Sequence, residues 1–276
     1  MIIRSLLISL LGMLLASTVV ATPGEFPGRA KYPDVEVIEK QDLLKKLNQV
    51  VIVDTRSSLE FDTLRIKDAL NIPVASKTFE DQLKSLRATT NKTIVFYCNG
   101  RTCMKSYIAV RKAKAAKVSN TIAYDAGMFE WARSYPNYAE LLGKSPVKTT
   151  DIISKTNFKK RLLDPTTFET QAFALGNKTM ILDVRDKYQR GAAGFFPAQE
   201  VWASMDDQKK IKELIATAKK EDRTLFIYDE VGKQVRWLQY ALEQAKVKKY
   251  FFMAKGAKGY YANMMKDFGI STDRLK

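Results

Sequence analysis

Short apolar runs recur along this chain, separated by polar stretches with a longer period. Val50-Val51-Ile52-Val53, Thr93-Ile94-Val95-Phe96-Tyr97, Met180-Ile181-Leu182 and Thr224-Leu225-Phe226-Ile227-Tyr228 are the clearest. Each is too short for a helix and most are rich in β-branched or aromatic residues, so each predicts a buried strand. Between them, residues 79–86 have helical spacing. Residues 106–117 form a basic helical pattern with Ala109, Val110 and Ala113 on one face. Buried strands alternating with helices predict an α/β fold in which each sheet is mostly parallel and carries helices on both faces.

The pattern occurs twice. Val53-Asp54-Thr55-Arg56 and Leu182-Asp183-Val184-Arg185 both close an apolar run with Asp-x-Arg. Tyr97 leads into Cys98 as Tyr228 leads into Asp229, and Ala126-Gly127-Met128-Phe129-Glu130-Trp131 has a looser counterpart in Lys255-Gly256-Ala257-Lys258-Gly259-Tyr260. The landmarks keep their order at a spacing of about 130 residues, the size of one domain. The polar, breaker-rich stretch Gly143-Lys144-Ser145-Pro146-Val147-Lys148 marks the boundary. The expected organisation is one module over 22–146 and a second over 147–276.

Residues 1–21 read differently. Met1-Ile2-Ile3-Arg4 is a short positive start, residues 5–20 are apolar and uncharged, and Val19 and Ala21 supply the small residues of a cleavage site. These are the parts of a secretory signal peptide, with a mature start near Thr22. A periplasmic or secreted protein is expected, with no membrane attachment once the segment is removed. An uncleaved anchor is the alternative, because the run is nearly long enough to span.

The net charge is +16. In an exported protein that charge concerns small anions or surfaces rather than nucleic acid. The chain has no histidine and two cysteines. This excludes Cys-His and Ser-His-Asp catalysis, histidine metal ligation and a Cys-rich zinc site. No metal and no cofactor is expected.

The candidate chemistry converges on one strand-loop-helix junction. Cys98 is the candidate nucleophile. Asn99, Gly100, Arg101, Thr102, Cys103, Met104 and Lys105 form the candidate anion-binding loop. Asn99 and Gly100 permit a tight turn whose N–H groups can converge, and the helix that follows adds the partial positive charge of its N-terminus. Arg101 and Lys105 add full charges, Arg101 being the candidate to orient an anionic donor. A free cysteine of pKa ~8.5 is only about 3% ionised at pH 7, and lowering that value by about two units would make it mostly thiolate. Cys103 reads in two ways: a resolving thiol for Cys98, or a small residue packed at the helix start. Asp54 and Arg56 read as a structural ion pair, and Trp131 and Tyr250-Phe251-Phe252 as core.

On these residues the chain resembles the rhodanese family of sulfurtransferases in its tandem two-domain form. The resemblance runs from about residue 35 to the end. It rests on Val53-Asp54-Thr55-Arg56 with Glu60-Phe61, on Ala69-Leu70-Asn71-Ile72-Pro73, on Tyr97-Cys98 and on Gly127-Met128-Phe129-Glu130-Trp131. It implies two rhodanese-like domains and a ping-pong reaction. Cys98 takes the outer sulfur of a small anionic donor such as thiosulfate as a persulfide and passes it to cyanide, a thiol or a protein acceptor. Leu64-Arg65-Ile66 stands where the family often has Gly-His-Ile. Asp229 takes the nucleophile's place in the second module and cannot carry sulfur, so that module is expected to be inactive. Met104 stands where phosphatases of this fold carry the arginine of C-x5-R, so phosphatase or arsenate-reductase chemistry is not expected. Two other readings remain open: a thiol-redox relay through Cys98 and Cys103, and a non-enzymatic binding module using the degenerate second half and the basic surface.

Overall fold

In the computed structural model, residues 25–191 and 194–269 are described. The expected signal segment lies outside them. In the first half, β1 (Val50–Asp54), β2 (Leu64–Ile66), β3 (Leu70–Asn71), β4 (Thr93–Tyr97), β5 (Thr121–Tyr124) and β6 (Ala139–Leu141) follow in order. In the second come β7 (Leu162–Leu163), β8 (Thr179–Asp183), β9 (Glu200–Trp202), β10 (Thr224–Tyr228) and β11 (Tyr250–Met253).

Two parallel sheets result, one of order β3-β1-β4-β5 and one of order β7-β11-β10-β8-β9. Read from its other edge, the second begins β9-β8-β10-β11 and so repeats the first. The register repeats too: Asp54 lies opposite Tyr97 as Asp183 lies opposite Tyr228. At the far edge, β7 pairs with β11, and in the first half a single parallel bridge from Val37 to Ala123 occupies that place. β2 and β6 form a separate antiparallel pair.

The strand period of two sorts side chains onto opposite faces. Ile94 and Phe96 join Val53 in a cluster closed by Phe79 and Leu83 of the helix Phe79–Thr89 and by Tyr107, Ala109 and Val110 of the helix Lys105–Ala115. Val95 and Tyr97 face the other way, with Ile52, Leu59 and Trp131. Each sheet is thus covered on both faces, the expected α/β arrangement. The second face continues without a break into the second sheet, through Met180, Leu182, Leu225, Ile227 and Phe252. Phe129 stacks on Trp237 across the halves at 5.2 Å between ring centroids, and the Arg236 guanidinium lies 4.3 Å from the Phe129 ring. Trp131, Tyr250 and Phe252 are fully buried, as core residues, while Phe251 is half-buried and packs against the core of the second half. Among the described residues no helix is long and apolar enough to cross a membrane.

Candidate active site at Cys98

β4 runs through the sheet between β1 and β5, so the residue leaving its carboxyl end emerges where parallel sheets open their crevices. That residue is Cys98, fully buried. Thr55 donates both its N–H (3.1 Å) and its hydroxyl (2.8 Å) to the Tyr97 carbonyl, which fixes the strand end. The helix Lys105–Ala115 starts where the loop ends. Its N-cap, Met104, supplies no side-chain cap, so the helix N-terminus is left to the loop.

The loop lies directly on the start of the helix Gly127–Ser134. Met128 N–H donates to the Cys98 carbonyl at 2.9 Å. Gly127 has φ +78°, and a Cβ there would collide with the backbone of Gly100 and Asn99. Only glycine supplies both the conformation and the clearance. Sequence comparison between the halves marks Gly127 as a landmark but does not show that it supports the loop.

A buried polar network sits beneath the loop. Arg56 is fully buried and holds Asp54 through Nη2 (2.5 Å to Oδ2) and Nε (2.9 Å to Oδ1). Its Nη1 donates to Asn99 Oδ1 at 3.1 Å, and Asn99 Nδ2 donates to Glu60 Oε1 at 2.6 Å. Lys105 closes the chain with an ion pair to Glu60 at 3.6 Å. Burial opposes charge on Glu60, but Lys105, Arg56 and the Asn99 amide outweigh it and hold the carboxyl below its ordinary range. The Asp54–Arg56 pair is therefore structural and also reaches the loop through Asn99. The sequence pattern marks Glu60 only as part of Glu60-Phe61 and does not place it at the site.

Of the loop residues, the network gathers Asn99 and Lys105. Arg101 is engaged elsewhere. Nε and Nη2 bind Glu130 Oε2 at 3.0 and 2.8 Å, an ion pair joins it to Glu25, and its guanidinium lies 4.6 Å from the Phe26 ring. Thr102 is exposed, while Gly100, Cys103 and Met104 are half-buried. Between the halves, a cleft of about 360 Å³ is lined by Thr55, Ser57 and Lys105 on one side and by Gln189, Ser204 and Asp206 on the other.

Cys98 and Cys103 are joined in a disulfide, with Cα atoms 6.4 Å apart. Here the nucleophile expected as a free thiolate is a disulfide sulfur, and Cys103 is its bonded partner rather than a packing residue. The cause is local. Cys103 N–H donates to the Gly100 carbonyl at 2.8 Å, closing a turn that brings the cysteines within disulfide range. Cys98 Sγ also lies 3.4 Å from the Cys103 carbonyl oxygen and 3.8 Å from Ser106 Oγ.

The second loop shows what such a turn does with an anion. Asp229, fully buried after β10, accepts backbone N–H bonds from Val231 (2.9 Å), Gly232, Lys233 (3.1 Å), Gln234 (2.5 Å) and Val235 (2.9 Å). Five N–H donors converge on one carboxylate at the start of the helix Val235–Gln244. Gly256, φ +58°, backs this loop as Gly127 backs the first, and Ala257 N–H donates to the Asp229 carbonyl at 2.8 Å. From sequence, Asp229 is a lost nucleophile. In the structure its carboxylate fills the cradle. Among the described residues no group of three or more His, Cys, Asp or Glu side chains is placed to hold a metal.

Residues 39–134 match the rhodanese-like domain family. This segment holds β1 to β5, the Cys98 loop and Gly127. An HTH-type transcriptional regulator of Mycobacterium tuberculosis is 35% identical over 98 residues, which are 35% of this chain and 41% of that protein. The chain thus spans about two fifths of the length of that curated relative. Among solved structures, a thiosulfate sulfurtransferase from Pseudomonas aeruginosa is 15% identical, covering 86% of this chain and 43% of its own, with a TM-score of 0.39. The BH2092 protein of Bacillus halodurans is 19% identical over 50% of this chain and 99% of its own, with a TM-score of 0.37.

Proposed function

We propose that this chain is an exported sulfurtransferase that carries sulfane sulfur on Cys98. The observation that carries the reading is the place of Cys98 in the rhodanese-like domain, at the carboxyl end of β4 and the mouth of a loop that opens onto a helix N-terminus. The Cys98 thiolate attacks the outer sulfur of an anionic donor such as thiosulfate. A sulfur–sulfur bond forms to Cys98, the bond inside the donor breaks, and sulfite leaves. The terminal sulfur of the persulfide is an anion, and the N-terminus of the helix Lys105–Ala115 favours it, as the start of the helix Val235–Gln244 favours the Asp229 carboxylate in the twin loop. Cyanide or a thiolate then removes that sulfur and regenerates the thiolate. The second half, read as a rhodanese-like module with Asp229 at the nucleophile's position, carries no sulfur. The test is thiocyanate formation from thiosulfate and cyanide by pre-reduced protein. Activity in the wild type no greater than in Cys98→Ser would sink the reading.

The Cys98–Cys103 bond favours a second reading, a thiol-redox relay. It calls for rapid exchange with an external dithiol in the absence of any sulfur donor. A disulfide that a dithiol reduces only after the protein is unfolded would remove it.

A further inference from the structure

We infer that Cys103 discharges the Cys98 persulfide, so that the site releases hydrosulfide and consumes a dithiol rather than requiring a separate sulfur acceptor. This rests on the sulfur-transfer reading above. The observation behind it is that Cys103 is bonded to Cys98 Sγ itself. A thiol that reaches this atom attacks the inner sulfur of a persulfide there. The Cys98–Cys103 bond forms, the bond to the outer sulfur breaks, and that sulfur leaves as hydrosulfide with the proton from the Cys103 thiol. Attack on the outer sulfur would instead leave a persulfide on Cys103.

The sulfane sulfur is reduced and the two cysteines are oxidised, so a reductant must reopen the bond. A dithiol supplies both electrons, and the burial pattern points to where it attacks. With the bond closed, Cys98 is fully buried and Cys103 is half-buried. An incoming thiolate reaches Cys103, forms a mixed disulfide there and expels Cys98 as the leaving group. The second thiol of the reductant then frees Cys103. Cys98 departs as a thiolate at the helix N-terminus, where negative charge is favoured and a better leaving group speeds exchange. Over one cycle, thiosulfate and a dithiol become sulfite, hydrosulfide and a disulfide, and every atom and electron is accounted for. The turn closed by Cys103 N–H to the Gly100 carbonyl holds the resolving thiol beside its target. Such intramolecular placement outcompetes dilute external thiols.

The experiment is a single turnover. Fully reduced wild-type protein, freed of reductant, receives one equivalent of thiosulfate with no other thiol present. Sulfite, hydrosulfide and the intact mass are followed. The expected result is sulfite and hydrosulfide in equal amounts and a protein lighter by two hydrogens. Cys103→Ser is expected to stop with one added sulfur on Cys98 and to give no hydrosulfide above background. Cys103→Ala, chosen to unfold at the wild-type midpoint, is expected to do the same. Wild-type protein that releases sulfite but keeps the added sulfur, with Cys103 open to alkylation, overturns the inference. So does an added sulfur mapped to Cys103. If no protein releases sulfite, the sulfur-transfer reading itself falls and takes this one with it.

Discussion

Glu60 takes a hydrogen bond from Asn99 and an ion pair from Lys105 while lying almost wholly out of water. It also completes a capping box with Ser57 at the start of the helix Ser58–Thr63. One carboxylate therefore serves both a helix start and the loop. Its folded pKa lies below the ordinary 4.5. The stability it contributes is fully present above that ordinary value and is lost as the pH falls through the lowered one. Glu60→Gln is expected to cost about 1–3 kcal/mol at neutral pH. In urea titrations run from neutral to acid pH, the gap to wild type is expected to close below the ordinary carboxylate range. A gap that stays constant with pH would contradict this. The Asp-x-Arg motif was legible in the sequence because its partners are two residues apart. The reach of Arg56 to Asn99, 43 residues on, was not, because it depends on how β1 and β4 pair.

Two glycines perform the same task in two loops. Gly127 and Gly256 both have positive φ, and each leaves no room for a Cβ against its loop backbone. Replacing either with alanine is expected to cost about 1–3 kcal/mol, from backbone strain together with the forced displacement. Only Gly127→Ala is expected to lower sulfur transfer as well, since Asp229 and not a cysteine lies over Gly256. Unfolding midpoints and thiocyanate formation, measured on both variants, separate the two effects. At this scale the sequence was most readable where periodicity was strong. β1, β4, β8 and β10 were apparent as apolar runs, and the helix after Cys98 as a face of Ala109, Val110 and Ala113. The pair β2–β6 and the edge strand β7 were not, because two or three residues carry too little pattern to announce a strand. The Cys98–Cys103 bond was open in the sequence for a related reason: spacing alone does not tell a resolving thiol from a packing residue.

The molecule as a whole is knit by one core that runs from the first sheet into the second. Trp237 sits at the join. It is stacked on Phe129 and lies 5.2 Å from the Arg56 guanidinium, which in turn holds Asn99. The second half thus reaches the Cys98 loop by way of Trp237 and Arg56, although its own loop carries no thiol. Trp237→Ala is expected to cost about 3–5 kcal/mol. It is also expected to lower the unfolding midpoint of both halves together, because they share that core. Separate transitions by fluorescence and circular dichroism would argue against a shared core.

Both cysteines of the chain are spent in a single bond, and Cys98, the proposed sulfur carrier, is the one hidden from solvent. A preparation handled in air is therefore expected to show no titratable thiol, to ignore alkylating reagents and to give a blank sulfur-transfer assay. The same sample after a dithiol is expected to count two thiols and to turn over. On the proposed cycle, a survey run without reductant would score as inert a protein held in its disulfide state.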